Sequence, residues 1–388
     1  MRIVIAPDSF KECLTAIQVS NAISKGILRV IPDAQITAIP VADGGEGTVH
    51  ALITATGGKL VPTSSVDALN RPITSFFGVL SDNLTAVVEM AAASGIELLS
   101  AKERNPLITS TFGTGLLIKA ALDEGYTNIV VAIGGSATND GGAGMAQALG
   151  FGLYDAEGSP LPLGGGSLHL LHSIDSYNVH PLLNKADITV ACDVTNPLLG
   201  PAGATYVFGP QKGATPEILD ILEANLQHFS KVIHRDLRVK VSDMPGAGAA
   251  GGLGAGLLAF CNAHMVSGFE LVSQLTQLEE HIRKASLVFT AEGKIDSQTA
   301  HGKTISGVAR MAQRHGVPVI ALAGMIEGDL TELYSLGLTS AFAIADHPMS
   351  LEESKSRASE LLEKRTEQIM RTIKRTSNPS NGFGSMMG

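Results

Sequence analysis

The sequence predicts an α/β protein in which an open parallel sheet is interrupted by a long inserted α/β segment. Two stretches, 1–60 and 280–375, alternate short apolar strands with helices, whereas the run separating them is different in character. The chain has 388 residues and so exceeds the size at which one hydrophobic core usually stops growing. We expect a discontinuous first domain (1–60 and 280–375), an inserted domain (61–279) and a disordered tail (376–388).

The first stretch begins as β-α-β-α. Residues 2–6 form a short apolar run, and residues 16–30 place apolar side chains at helical spacing. A second strand is predicted at 35–39, followed by a helix at 49–55 that Gly57-Gly58 terminates. A helix after each strand favours parallel pairing.

In the middle of the chain the alternation of strands and helices gives way to consecutive strand-like runs. The alternation returns near the C-terminal end of the chain. Runs 73–80 and 85–90, joined by Ser81-Asp82-Asn83, predict antiparallel strands. The later elements follow the β-α alternation again. They are strands at 287–290, 317–322 and 339–345, and helices at 302–315 (capped by Gly316), 330–336 and 351–373.

Composition excludes several classes of protein. The formal charge of −9 and the lack of a dense basic run argue against a nucleic-acid partner. Cys13, Cys192 and Cys261 are widely spaced and odd in number, so neither a disulfide framework nor a zinc site is indicated. The apolar N-terminus is too short for a signal or membrane segment, which favours a cytoplasmic protein without a membrane partner.

Two glycine-rich loops, 134–144 and 246–256, each precede a helix-forming apolar segment. Glycine permits close backbone approach, and free amides at a helix start attract anions, so the two loops predict a site for a polyphosphate. The alternative is that the glycines form tight turns or close packing contacts. The predicted phosphate ligands are Gly134, Gly135, Ser136, Asn139, Gly141, Gly246, Gly248 and Gly251, together with Lys294 and Lys303.

Carboxylates recur where the predicted strands end. Asp8, Asp43, Asp193 and Glu292 each follow an apolar run, and ligands of open α/β sheets gather at that edge. Phosphoryl transfer requires phosphate donors, carboxylates that hold Mg²⁺, a cation and a base, and all four are available. The residues 302–304 supply only the end of a Walker A loop, so a standard P-loop is not predicted.

Eight short segments occur in order along nearly the whole chain. They are A-P-D-S-F-K (6–11), V-A-D-G-G-E-G-T (41–48), G-T-G (113–115), the loop 134–144, C-D-V-T-N-P-L (192–198), F-G-P-Q-K-G-A (208–214), 245–252 and E-G-K-I-D-S-Q (292–298). Together they resemble the bacterial type I glycerate kinase family. The resemblance implies a flavodoxin-like domain interrupted by a restriction-endonuclease-like α/β domain.

The resemblance also implies ATP-dependent phosphorylation of D-glycerate in organic acid catabolism. Similarity to enterobacterial members implies the 2-hydroxyl as acceptor, with the 3-hydroxyl as the alternative. On this hypothesis Asp8, Ser9, Lys11 and Asp43 bind glycerate, Lys11 takes part in catalysis, and Asp193 or Asp43 orients or deprotonates the attacking hydroxyl.

The same hypothesis assigns the two glycine-rich loops to the ATP phosphates. Mg²⁺ is then expected near Asp140, Asp193 or Glu292. Two other functions stay open. A formal G-x-G-x-x-G match at 246–251 allows a nicotinamide-dependent oxidoreductase, and a sensor of glycerate or nucleotide without catalysis is the second alternative.

Overall fold

The computed structural model of the chain describes residues 1–10, 13–41, 44–297, 299–300 and 304–376. Its strands are β1 (Arg2–Ile5), β2 (Gln35–Ala38), β3 (Lys59–Val66), β4 (Pro72–Val79), β5 (Thr85–Glu89), β6 (Asn128–Ala132), β7 (Gly152–Tyr154), β8 (Ser173–Asp175), β9 (Asp187–Ala191), β10 (His264–Val266), β11 (Leu287–Ile295), β12 (Val319–Ile326) and β13 (Ser340–Ala343). Its α-helices are α1 (Ala16–Val30), α2 (Thr48–Thr56), α3 (Ala91–Ser94), α4 (Phe112–Asp123), α5 (Ala143–Ala148), α6 (Ala204–Phe208), α7 (Pro216–Leu237), α8 (Leu253–Phe260), α9 (Gly268–Leu275), α10 (Leu278–Arg283), α11 (Thr304–Arg314), α12 (Thr331–Ser335) and α13 (Leu351–Thr376).

The chain divides into two compact units. The first comprises Met1–Ala42 and Ser273–Gly388, and the second comprises Asp43–Val272. The first boundary therefore lies before α2 rather than at residue 60, where the sequence analysis placed it. The reason is packing, because α2 lies against β4 and β5 of the second unit. The polar tail expected from residue 376 lies outside the described residues, apart from Thr376 at the end of α13.

The first unit is built on a parallel five-stranded sheet with the order β13-β12-β11-β1-β2. Numbered within this unit alone, the order is 2-1-3-4-5, which is that of flavodoxin-like proteins. The predicted parallel α/β class is thus confirmed.

The sequence signals of the first unit coincide with its helix boundaries. Thr15 and Gln18 form a reciprocal capping box at the start of α1. α1 packs closely on α13, and at Gly26 a Cβ would lie 2.5 Å from the carbonyl oxygen of Glu363. Gly316, with φ +66°, follows α11 as predicted.

The second unit contains a mixed six-stranded sheet with the order β10-β9-β6-β5-β4-β3. Strands β5, β6, β9 and β10 are parallel, whereas β4 pairs antiparallel with β3 and with β5. The pairing of β4 with β5 is the one predicted for the runs 73–80 and 85–90. Asp82 stabilises the β4–β5 turn by accepting hydrogen bonds from the amides of Leu84 and Thr85. The endonuclease-like name for this unit stays a prediction.

The parallel part of this second sheet determines where the glycine-rich loop lies. β6 and β9 are neighbours, so the segment after β6 (from residue 133) and the segment after β9 (from residue 192) leave the same edge of the sheet. In the described part of the chain, none of the helices has the length and apolar character needed to cross a membrane.

Candidate active site

The loop 134–144 follows β6, and most of it is enclosed by protein. Gly134 is half-buried and Gly135 exposed, Ser136 is 8% exposed, and residues 137–144 are buried. The Gly134 amide donates to the Gly44 carbonyl oxygen at 2.9 Å. The surface of this loop is therefore confined to its first residues, which we call the 134–136 segment.

The second glycine-rich loop packs directly against the first. The Gly141 amide donates to the Gly251 carbonyl oxygen at 3.1 Å. A Cβ at Gly251, where φ is +66°, would lie 1.9 Å from the Thr138 carbonyl oxygen. Only glycine permits this approach, and the packing alternative therefore accounts for Gly251.

The other predicted phosphate ligands of the second loop are also enclosed. Gly246 and Gly248 are buried, and the Gly248 amide donates to the Asn196 carbonyl oxygen at 2.9 Å. The amides of Gly141 and Gly248 are thus committed within the protein, so these two do not fit a phosphate-binding role in this conformation. The same enclosure leaves the G-x-G-x-x-G glycines without a surface for a dinucleotide.

Asp140 anchors the buried end of the first loop. Its carboxylate is 0% exposed, and Oδ2 accepts hydrogen bonds from the Thr111 amide (2.8 Å) and hydroxyl (2.9 Å). The amides of Gly142 and Gly144 donate to Oδ1 (3.1 Å) and Oδ2 (3.3 Å). Burial raises the pKa of Asp140, and these hydrogen bonds oppose the rise.

The same contacts revise the helix-start argument for phosphate binding. α5 is only six residues long, and Asp140 already occupies amides at its start. Asn139, another predicted ligand, is 1% exposed and donates through Nδ2 to Thr205 Oγ1 at 3.2 Å. Of the predicted phosphate ligands on these two loops, Gly134, Gly135 and Ser136 remain the best placed.

A buried lysine lies beneath the 134–136 segment. Lys212 is 1% exposed, and its Nζ donates to Ser136 Oγ at 2.6 Å and to the Thr138 carbonyl oxygen at 2.7 Å. Burial lowers the pKa of Lys212 to about 7, although the negative charge of Asp140 opposes this shift. In sequence Lys212 is a polar-loop lysine of the kind that can reach phosphate as a point charge, but nothing in the sequence shows that its ammonium is buried. The sequence signal available for this residue was its place before a glycine in segment 208–214. In the structure that glycine, Gly213, has a φ of +92°.

Asp193 lies where the sequence analysis expects it, just after β9. It is half-buried, and Oδ1 accepts hydrogen bonds from Ser267 Oγ (2.9 Å) and from the Gly268 amide (3.1 Å). These donors fix the carboxylate at the start of α9. An oriented carboxylate at this sheet edge suits a base or a metal ligand.

Three glutamates of the second unit form a further group that sequence reasoning missed. Glu89 is buried and accepts hydrogen bonds from the amides of Gly47 (3.0 Å) and Val49 (3.1 Å) at the start of α2. Burial, a hydrogen bond with Glu97 and the charges of Glu97 and Glu89 raise the pKa of Glu46 to about 7. The segment 41–48 shows Glu46 in sequence, but its two partners are distant along the chain.

In the first unit, Asp8 and Ser9 follow β1 as predicted. The Asp8 amide donates to the Ala291 carbonyl oxygen at 2.8 Å, and Asp8 Oδ1 accepts from the Ser9 amide at 2.6 Å. Thr304 Oγ1 donates to Asp8 Oδ2 at 3.4 Å. The loop after β1 thus holds its carboxylate by local hydrogen bonds.

Glu292 and Lys294 lie within β11, which extends beyond the predicted end at residue 290. Glu292 Oε1 accepts a hydrogen bond from Thr299 Oγ1 at 2.8 Å. Lys294 Nζ pairs with Asp296 (3.1 Å) and Glu327 (2.8 Å). Lys294 is therefore neutralised within its own unit, and a phosphate would compete with these two carboxylates.

Three predicted site residues, Lys11, Asp43 and Lys303, lie outside the described residues. Among the residues that are described, no group of three or more His, Cys, Asp or Glu side chains is arranged to hold a metal ion.

Comparison with known proteins decides the family. A model of the glycerate kinase family matches residues 3–374. The chain belongs to this family. It is 50% identical over 354 residues to the glycerate 2-kinase of Escherichia coli (strain K12), covering 91% of this chain and 93% of that protein. It is 48% identical over 374 residues to a glycerate kinase of Bacillus subtilis (strain 168), covering 96% and 98%.

A solved structure of similar fold supports the same assignment. The crystal structure of a protein assigned as glycerate kinase 2 from Salmonella typhimurium LT2 is 46% identical, with a TM-score of 0.86. The match covers 97% of this chain and 99% of the chain in that crystal structure. The family resemblance noted in the sequence is thereby confirmed, and the protein is a kinase.

Proposed function

We propose that the protein transfers the γ-phosphoryl group of ATP to the 2-hydroxyl of D-glycerate, giving 2-phosphoglycerate and ADP. The family match over residues 3–374 carries this proposal. The choice of the 2-hydroxyl is supported by the glycerate 2-kinase of Escherichia coli, which is 50% identical. The glycine packing described above gives no support to the nicotinamide alternative.

The phosphate site is proposed at the 134–136 segment. Gly135 is exposed with φ +77°, and Ser136 presents a hydroxyl above the buried Lys212. Main-chain amides, a hydroxyl and a nearby cation are the groups that stabilise a transferring phosphoryl group. We propose no direct phosphate contact from the enclosed Gly141, Gly248 or Gly251.

The acceptor residues are proposed from the same edge-of-sheet argument. Asp8 and Ser9, with Lys11 and Asp43, would bind the carboxylate and hydroxyls of glycerate. The attacking oxygen forms a bond to the γ-phosphorus as the bond to the ADP oxygen breaks, and its proton passes to a carboxylate. Either Asp193 or Asp43 is the proposed base.

Mg²⁺ fits the half-buried carboxylates better than the enclosed one. This ion is usually held by one or two carboxylates together with substrate phosphates, so a three-carboxylate cage is not required. Asp193 and Glu292 are half-buried, whereas both oxygens of Asp140 accept hydrogen bonds from buried amides. When bound, the ion would neutralise developing phosphate charge, and we propose Asp193 or Glu292 as its ligand.

One experiment tests donor, acceptor and position together. The protein is incubated with ATP, Mg²⁺ and D-glycerate, and the products are resolved by ³¹P NMR. The expected result is ADP and 2-phosphoglycerate, with no turnover when glycerate is omitted. A 3-phosphoglycerate signal would reject the position, and absence of ATP consumption despite measurable ATP binding would favour the sensor alternative.

A further inference from the structure

Lys212 is a buried cation whose charge is only partly compensated by the groups around it. Its ammonium is 1% exposed and donates to two neutral acceptors, Ser136 Oγ and the Thr138 carbonyl oxygen. These bonds leave one of its three N–H groups without a partner among the residues that the structure describes. A buried ammonium is stable only when paired or strongly hydrogen-bonded, so a further negative group nearby would stabilise it.

Asp140 supplies only part of that compensation. Among the titratable groups of the surrounding elements, Asp140 is the carboxylate whose charge acts on Lys212, and its oxygens are already engaged by Thr111, Gly142 and Gly144. The main chain and Cβ of Arg104 pack against the neighbouring Gly213, and the charge of Arg104 is not among the groups that shift the pKa of Lys212. Burial therefore outweighs the charge of Asp140 and keeps the pKa of Lys212 low, at about 7.

The ammonium lies close to the surface that the proposed function assigns to phosphate. Nζ is 2.6 Å from Ser136 Oγ, Ser136 is 8% exposed, and Gly135 next to it is exposed. Buried polar atoms without a hydrogen-bond partner among the described residues also lie in this loop, Thr138 Oγ1 and Asn139 Oδ1. The loop is therefore held by Lys212 while part of its hydrogen-bonding capacity is unused.

We propose that Lys212 is the positioning residue of the nucleotide phosphate site, acting through Ser136 and Thr138 and attracting the phosphate with its buried charge. This inference rests on the proposed function. A phosphate dianion at the 134–136 segment would stabilise the ammonium form. Binding of nucleotide is then coupled to proton uptake by Lys212 above pH 7, because the free protein has lost that proton there.

The test measures how the affinity for a non-hydrolysable ATP analogue, AMP-PNP with Mg²⁺, depends on pH. Isothermal titration calorimetry is run at pH 6 and pH 8 in two buffers that differ in ionisation enthalpy. A site whose pKa rises from about 7 on binding loses about tenfold in affinity over this interval and takes up nearly one proton at pH 8.

Three variants separate a charge effect from a structural one. Lys212→Met is expected to bind at least about tenfold more weakly at pH 6 and to lack the added pH dependence. Lys212→Arg keeps its charge throughout this pH range, so its affinity for AMP-PNP is expected to change less with pH. Proton exchange measured with this variant comes from the nucleotide itself and is subtracted from the wild-type value. Lys231→Met, at an exposed lysine of the same unit, is the matched control and should behave as wild type.

The possible failures are distinguishable. If the wild-type protein neither binds AMP-PNP nor consumes ATP with D-glycerate, the proposed function fails. If it is active but takes up no more protons at pH 8 than Lys212→Arg does, the role of Lys212 is rejected. A Lys212→Met protein that folds and keeps the wild-type affinity and pH slope also rejects it. Should neither variant fold, absence of proton uptake in the wild type alone overturns the inference.

Discussion

The contact of the two glycine-rich loops can be tested by adding one methyl group. In Gly251→Ala the new Cβ would lie 1.9 Å from the Thr138 carbonyl oxygen, whereas real Cβ atoms essentially never approach closer than 3.0 Å. The atom opposite is main chain and cannot rotate away. The loops must therefore separate by more than about 1 Å, which also weakens the hydrogen bond from the Gly141 amide to the Gly251 carbonyl oxygen.

The expected loss of stability is the sum of three effects. Left-handed φ costs an alanine about 1 kcal/mol, overpacking adds about 1 to 3 kcal/mol, and the weakened hydrogen bond adds up to about 1 kcal/mol. Gly251→Ala should therefore lose about 2 to 5 kcal/mol of unfolding free energy. Gly125→Ala is the matched control, because Gly125 also has positive φ (+89°) but a Cβ there would meet no described atom within 4 Å, so it should lose only about 1 kcal/mol.

Urea denaturation followed by tyrosine fluorescence measures this difference. The chain has no Trp, and most of its tyrosines belong to the second unit, which contains both substitutions. They are Tyr126, Tyr154, Tyr177 and Tyr206. If Gly251→Ala is as stable as Gly125→Ala but loses AMP-PNP affinity, Gly251 serves the ligand rather than the packing, and the interpretation of the second loop is refuted.

Three further predictions concern the charged groups. Because the pKa of Lys212 is lowered to about 7 in the folded protein, the unfolded chain binds more protons than the folded one above that pH. Between pH 6 and pH 9 the free energy of unfolding of the wild type, measured in urea, should therefore rise by about 2 to 3 kcal/mol relative to that of Lys212→Met. Parallel pH profiles for the two proteins would contradict this. Asp140→Asn should lower the free energy of unfolding by about 3 kcal/mol, since an amide cannot accept all the same buried hydrogen bonds. The control, Asp187→Asn at an exposed position, should leave the free energy of unfolding nearly unchanged in the same assay. Asp193→Asn and Asp43→Asn should each lower kcat about 10²-fold or more in a steady-state ATP and glycerate assay, and near-normal turnover would remove that residue from the mechanism.

Much of the first unit could be predicted because its signals are local. The predicted helix 16–30 has the bounds observed for α1, and Gly316 follows α11 as a left-handed glycine. The hairpin of β4 and β5 was also predicted, from apolar runs and a turn. These features depend on neighbouring residues and on one buried face, which periodicity reports directly.

The roles of the glycines and of the buried charges could not be predicted in the same way. A glycine permits the close approach of a ligand and of a neighbouring main chain equally well. At Gly251 it is the main chain of Thr138 that approaches closely. Asp140 was expected to face Mg²⁺, but the amides of Thr111, Gly142 and Gly144 enclose it. Sequence spacing contains no information on which distant segment arrives at a given loop.

By itself, the sequence determined the α/β class, the β-α alternation of the first unit, the β4–β5 hairpin and the family resemblance, because periodicity, caps and ordered short segments are written in adjacent residues. Tertiary structure alone decided that α2 belongs to the second unit and that Lys212 is buried beneath Ser136. Burial and charge compensation depend on contacts across long stretches of chain, and desolvation changes a lysine that looks ordinary in sequence into a group that titrates near neutral pH.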